Sequence, residues 1–162
     1  MPSLWNTDYE VPKSCFKIDL STGELVKKSD MLDAKMNFGL CNIGQFIYTI
    51  GGIDSNYDVF QTAARYNLFS DEWKSLPKAC TPDGHCMDYK TIAVKKRYIF
   101  VFSGVNKQGH PPNDDTEKIM LLDTLKLEKG YKEIVLKNAC AANGFAYGII
   151  NLGFNDEDHD NF

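Results

Sequence analysis

No apolar run in this chain approaches the roughly 20 residues that a membrane-spanning helix requires, and no Asn-x-Ser/Thr glycosylation site occurs anywhere in it. Positive charge is not in excess either, since 18 Lys and Arg stand against 22 Asp and Glu for a formal charge of −4. Phosphate contacts dominate nucleic-acid affinity and require a basic face, so this balance excludes a general nucleic-acid binder. Neither nucleic acid nor membrane is expected as a partner. The first eight residues carry no basic cluster and no apolar centre, and so do not read as a signal peptide. The five cysteines are odd in number and not closely paired. A reducing compartment, the cytoplasm, is the expected location.

Chemical machinery is also scarce. Among three histidines, His85 alone lies near cysteines, but Cys80 and Cys86 are separated by five residues and no second pair follows, unlike the paired spacing of structural zinc sites. His110, before Pro111 and Pro112 in a polar loop, has no nucleophile in a recognisable elbow beside it. Gly51 and Gly52 are not followed by a helix that could cradle a phosphate. The reading is therefore a protein with no catalytic residues, no metal and no cofactor. Helix signals are nearly absent as well; residues 29–35 make at most one turn and read equally as a loop. The last residues, 153–162, form an acidic stretch that reads as a solvated tail, without the glycine and ligand spacing of a calcium loop.

What the chain does have is short apolar runs punctuated by turns. An apolar fraction of 43% with 25% charged residues is ordinary for a globular domain, and 162 residues suffice for one. Phe46-Ile47-Tyr48-Thr49-Ile50 is rich in β-branched and aromatic residues and stops at Gly51-Gly52, as a buried strand ending in a tight bend should. Residues 62–67 and 72–77 then make the arms of a hairpin, with Tyr66 and Trp73 expected to fill the space between layers. This hairpin has an earlier echo at residues 18–25 and a later one at 122–131, with Asp19, Asn67 and Asp123 at the same place. A side chain of that type bonds the backbone two residues ahead and starts a turn, so the recurrence has a mechanism. Residues 98–104 likewise repeat 46–52, and each run has a partner strand before it: 38–43 joined through Gly44-Gln45, and 87–94 joined through Lys95-Lys96-Arg97.

The ordered set Gly51, Gly52, Tyr66, Trp73, Leu76 and Pro77 resembles the kelch repeat, in which a strand ending in Gly-Gly precedes one carrying Tyr, then a Trp and Leu-Pro. The resemblance implies an all-β fold of β-propeller blades, each an antiparallel four-stranded sheet. Departures are Leu25 and Tyr131 at the Trp position, Ser103 at the first glycine and Leu122 at the Tyr position. The repeats are degenerate. The strands expected are a hairpin (14–28), four strands (38–76), four more (87–136) and one alone (144–152), within repeat units 14–37, 38–86 and 87–143 of a single partial domain, 1–162. A closed propeller needs at least four blades, so the expectation is an open arc of about three.

The resemblance also implies a non-enzymatic protein-interaction module or scaffold with a protein partner. The alternatives are a propeller enzyme or small-ligand binder of the galactose-oxidase or sialate-epimerase type, or a non-functional fragment of a larger kelch protein. Candidate partner-binding residues are Asp54, Asn56, Tyr57, Asp58 and Phe60, an aromatic pair among polar groups in a loop on a rigid scaffold, together with His110. The competing reading has Tyr57 and Phe60 covering a neighbouring blade. An open arc leaves terminal faces and the edge near residues 14–19 bare, so a homo-oligomer or incorporation in a larger propeller is expected.

Overall fold

The computed structural model describes residues 10–79, 89–103 and 116–137. Within them the chain is all-β: β1 (Cys15–Ile18), β2 (Leu25–Lys28), β3 (Gly39–Ile43), β4 (Phe46–Ile50), β5 (Ala63–Asn67), β6 (Glu72–Leu76), β7 (Tyr89–Val94), β8 (Tyr98–Ser103), β9 (Thr116–Asp123) and β10 (Tyr131–Lys137). The single helical piece among the described residues is a 3-10 turn at Leu127–Lys129, inside the long turn between β9 and β10. Residues 29–35 form a crossing loop without helix. Strands β1 and β2 pair as a hairpin, β3 to β6 form one four-stranded antiparallel sheet in sequence order, and β7 to β10 form another. These are the blades of an incomplete propeller. The expected strand at 144–152, the acidic residues 153–162, and the Cys80, His85, Cys86 group lie outside the described residues.

The turns explain why the three units share one register. The Asp19 carboxylate accepts the Ser21 N–H at 2.8 Å, the Asn67 amide oxygen accepts the Phe69 N–H at 2.9 Å, and the Asp123 carboxylate accepts the Leu125 N–H at 3.0 Å. Each fixes the same turn. As a result Ile18 faces Leu25, Tyr66 faces Trp73 and Leu122 faces Tyr131 across their strands.

Because side chains alternate along a strand, each sheet presents two faces. Tyr48, Ile50, Ala63 and Leu76 from one face of the β3–β6 sheet pack against Tyr89, Ile99, Val101, Met120 and Leu122 of the β7–β10 sheet. This is the core. Burying each such aliphatic side chain contributes about 1.5–3 kcal/mol, so the contact between sheets carries most of the hydrophobic stabilisation. Close approach of the two layers depends on Gly51, which sits at φ +64°, and where a Cβ would lie 2.3 Å from the ring of Tyr89. Gly52, at φ +115°, would place a Cβ 2.8 Å from the Met36 carbonyl oxygen. The glycine pair thus serves both needs that a strand-ending glycine can have, left-handed backbone and contact with a neighbour.

Trp73 departs from the expected core position. Tyr66 is buried, and the two rings lie 5.1 Å apart, but Trp73 is half-exposed. Among the described residues it is the loop after the β1–β2 hairpin that meets the ring, and the indole N–H donates to the Ser29 carbonyl at 2.9 Å. The Trp is a bridge between units more than a filler.

Candidate functional site

The loop after the glycine pair is built by its own first residue. Ile53, fully buried, bridges to both Met36 and Val59 and anchors the loop at the sheet end. The Asp54 carboxylate then accepts the N–H groups of Asn56 and Asp58, each at 2.8 Å, while the Asp54 N–H donates to the Asp58 carbonyl at 3.0 Å. The loop closes when the Phe60 N–H donates to the Gly52 carbonyl at 2.8 Å. Asp54 is therefore a turn former whose carboxylate is engaged inside the loop.

This closure decides where the two aromatics go. Tyr57, at φ +63°, stands at the tip and is 58% exposed. Phe60 is half-buried against the sheet end. The structure thus brings together Asp54, Asn56, Tyr57, Asp58 and Phe60 in one compact loop, with Asn56, Tyr57 and Asp58 outward. His110 lies outside the described residues. A ring held on a rigid tip loses little freedom on binding, which is what an interaction anchor needs.

Beside this loop lies a group that the sequence did not single out. Lys35 is only 3% exposed, its ammonium 3.5 Å from the Thr62 carbonyl and 5.8 Å from the centre of the Phe38 ring. The neighbouring Asp33 carboxylate accepts the Thr62 hydroxyl at 2.6 Å. Burial lowers the Lys35 pKa to about 8, partly opposed by the Asp33 charge. The signal that could have found it is faint: a Lys between Ala34 and Met36 in a polar crossing loop looks solvated. No cluster of three or more His, Cys, Asp or Glu suited to a metal exists among the described residues.

On the outer side, an open groove of about 540 Å³ is lined by Ser29, Asp30, Arg65, Asp71 and Trp73 among others. Asp71 knots it together, accepting the Tyr66 hydroxyl and, at 3.0 Å, the Ser29 N–H, with Lys28 at 3.9 Å. The Tyr66 hydrogen bond, chiefly, holds the Asp71 carboxyl below its ordinary range, whereas burial, reinforced by Asp71, pushes Tyr66 up to about 12. Those bonds are structural, tying the first hairpin to the second unit. Between the two sheets, burial raises Cys41 to about 11 and also raises Tyr131, so this thiol is a poor nucleophile.

No family model matches the chain. Among curated proteins, alpha-scruin of Limulus polyphemus, a kelch-repeat protein, is 28% identical over 120 residues. That similarity covers 73% of this chain and 12% of the relative. It is distant and partial, and supports a kelch-like relationship in agreement with the sheets described above. No helix among the described residues is long and apolar enough to cross a membrane.

Proposed function

We propose that this chain is a non-enzymatic, kelch-like protein-interaction module acting as a scaffold in the cytoplasm, with the loop at residues 54–60 as its contact surface. The observation that carries the reading is Tyr57, an exposed aromatic at the tip of a loop whose backbone is locked by Asp54 and by the bond from Phe60 to Gly52. Asn56 and Asp58 flank it with polar groups, giving the arrangement of an aromatic anchor with a polar rim. The distant likeness to a kelch-repeat protein favours protein binding over catalysis. The chain spans about 12% of that relative's length, so its partner is inferred from this loop alone.

The test compares proteins captured by the wild-type chain and by Tyr57→Ser, followed by titration of the partner found in the first and missing from the second. Removal of a hot-spot aromatic should weaken that partner at least about tenfold, roughly 1.4 kcal/mol or more. The fold should be retained, because Tyr57 is 58% exposed at the loop tip. Identical capture by the two proteins would remove the loop from the proposal. Stoichiometric copper or zinc in the purified protein would favour the enzymatic alternative and sink the reading as a whole.

A further inference from the structure

The open groove on the outer side holds some charges that are matched and some that are not. Two of its carboxylates have partners: Asp30 lies 3.6 Å from the Lys27 ammonium, and Asp71 accepts the Tyr66 hydroxyl and the Ser29 N–H, with Lys28 at 3.9 Å. Its two cations have none. Arg65 and Lys74 line the groove, stand directly opposite each other on β5 and β6, and form no ion pair among the described residues. Like charges directly opposite across a sheet repel, so the pair is unfavourable as it stands. The Arg65 guanidinium is half-buried and laid over the Phe46 ring, 4.6 Å from its centre, beside the Tyr48 hydroxyl. Stacked in this way, its planar fork is held in place and carries more N–H donors than one hydroxyl can engage.

The route of the groove adds a second observation. Side chains alternate between the faces of a strand, and the register puts Phe46, Arg65 and Lys74 on one face of the sheet, Tyr66 and Trp73 on the other. Trp73 and Leu32 nevertheless line the same groove as Arg65 and Lys74, so it passes over the outer boundary of the sheet. That boundary is β6, whose single ladder partner is β5. Among the described residues, 72–76 make no backbone–backbone bond beyond that ladder. The strand offers a row of N–H and C=O groups of the kind that an added strand pairs with.

We infer that this groove takes an extended acidic segment of a partner protein, laid along β6 as an added strand. Successive side chains of such a segment point to opposite sides. A carboxylate on one side meets Lys74 and, beyond it, Arg65; an apolar side chain on the other meets the half-exposed Trp73 and Leu32, which is 44% exposed. The occupant is acidic because the two cations are unmatched, and it is a peptide because the groove also offers an apolar side and a strand edge, which a free anion cannot use. Glu72, the remaining carboxylate of the groove, is exposed and in no ion pair among the described residues. It opposes the same ligand and so limits its affinity. The surface is distinct from the loop at residues 54–60, which joins β4 to β5 at the other end of those strands from Phe46 and Asn67.

The experiment titrates the full chain into a fluorescein-labelled, end-capped peptide as long as β6, five residues, alternating glutamate with valine. Fluorescence anisotropy should show saturable binding. Glutamine in place of the peptide's glutamates should weaken it at least about tenfold, the worth of a charge-assisted hydrogen bond. Lys74→Gln, at an exposed position, should weaken it about threefold, Arg65→Gln about tenfold, and Glu72→Gln should tighten it. N-methylation of the alternate peptide amides that face β6 should abolish binding, while methylation of the other set should spare it. Tyr57→Ser should leave the affinity unchanged. Absence of saturable binding overturns the inference, as does binding indifferent to Lys74→Gln. Binding that tolerates both methylation patterns and yields to inorganic phosphate overturns it as well, since the groove would then be a simple anion site. Loss of binding in Tyr57→Ser would place the peptide on the loop and overturn it too.

Discussion

Replacing Lys35 by Met should stabilise the domain at neutral pH and lose that advantage as the solution becomes alkaline. Lys35 is buried with its ammonium near one carbonyl and one aromatic ring, so the folded state holds a charge that water would solvate better. Its pKa falls from 10.5 to about 8, burial being the larger cause and Asp33 opposing it. The unfolded chain therefore keeps a proton between pH 8 and 10.5 that the folded chain has released, and the wild type gains stability as pH rises through that window. At about 1.4 kcal/mol for each pH unit of separation, the gain between pH 7 and pH 10 is about 2.5 kcal/mol. Met is close in length and fills the same space without charge. Every other titratable group is common to both proteins and cancels in the difference. The measurement is urea denaturation of the wild type and Lys35→Met at several pH values. Their stability difference should shrink by about 2.5 kcal/mol from pH 7 to pH 10 in favour of the wild type. A difference that stays flat, or that widens with pH, refutes the claim that the buried charge is costly.

Gly51→Ala should cost at least about 3 kcal/mol, because it adds a clash with the Tyr89 ring to a left-handed backbone; Gly23→Ala, at φ +74° with nothing within 4 Å, should cost only about 1 kcal/mol. Thermal melts of the two variants separate packing from backbone strain, and equal losses would mean that the sheets do not meet at Gly51. Trp73→Ala should cost about 2 kcal/mol, less than a fully enclosed ring would, while Trp73→Phe should lose about 1 kcal/mol for the bond to Ser29. Denaturant midpoints read both, and a Trp73→Ala loss above about 4 kcal/mol would show that the ring is enclosed after all.

The sheets were legible in the sequence where backbone chemistry sets them. Gly51 and Gly52 announce a strand end because no other residue fits there, and Asp19, Asn67 and Asp123 announce turns because their side chains build them. The apolar, β-branched and aromatic run at residues 46–50 was enough to mark a buried strand, and the structure adds that Tyr48 and Ile50 share its core face. The degree of burial was less legible, since it depends on what neighbouring units supply. Trp73 reads as core by type and is half-exposed, its indole meeting the loop after the first hairpin at Ser29. Lys35 reads as solvated by type and is buried because Phe38, three residues on, and Thr62, from a distant part of the chain, close over it. In the loop, the aromatics could be named from sequence, but their division into an exposed Tyr57 and a half-buried Phe60 follows from a hydrogen-bond pattern around Asp54 that has to be seen.

Every strand in the described residues pairs only with its neighbour in sequence, which bears on how the chain acquires its structure. Each sheet can zip up through short loop closures, whose entropic cost is small and whose rate is correspondingly high. None of the sheets needs another for its hydrogen bonds, yet the β3–β6 and β7–β10 sheets share one apolar layer. Cooperativity therefore resides in docking, and those two sheets rise and fall as a pair. The first hairpin shares no ladder with them and is held by polar bonds at Asp71 and Trp73, so its local opening should cost less than unfolding of the two sheets while uncovering the Tyr66 ring beneath it.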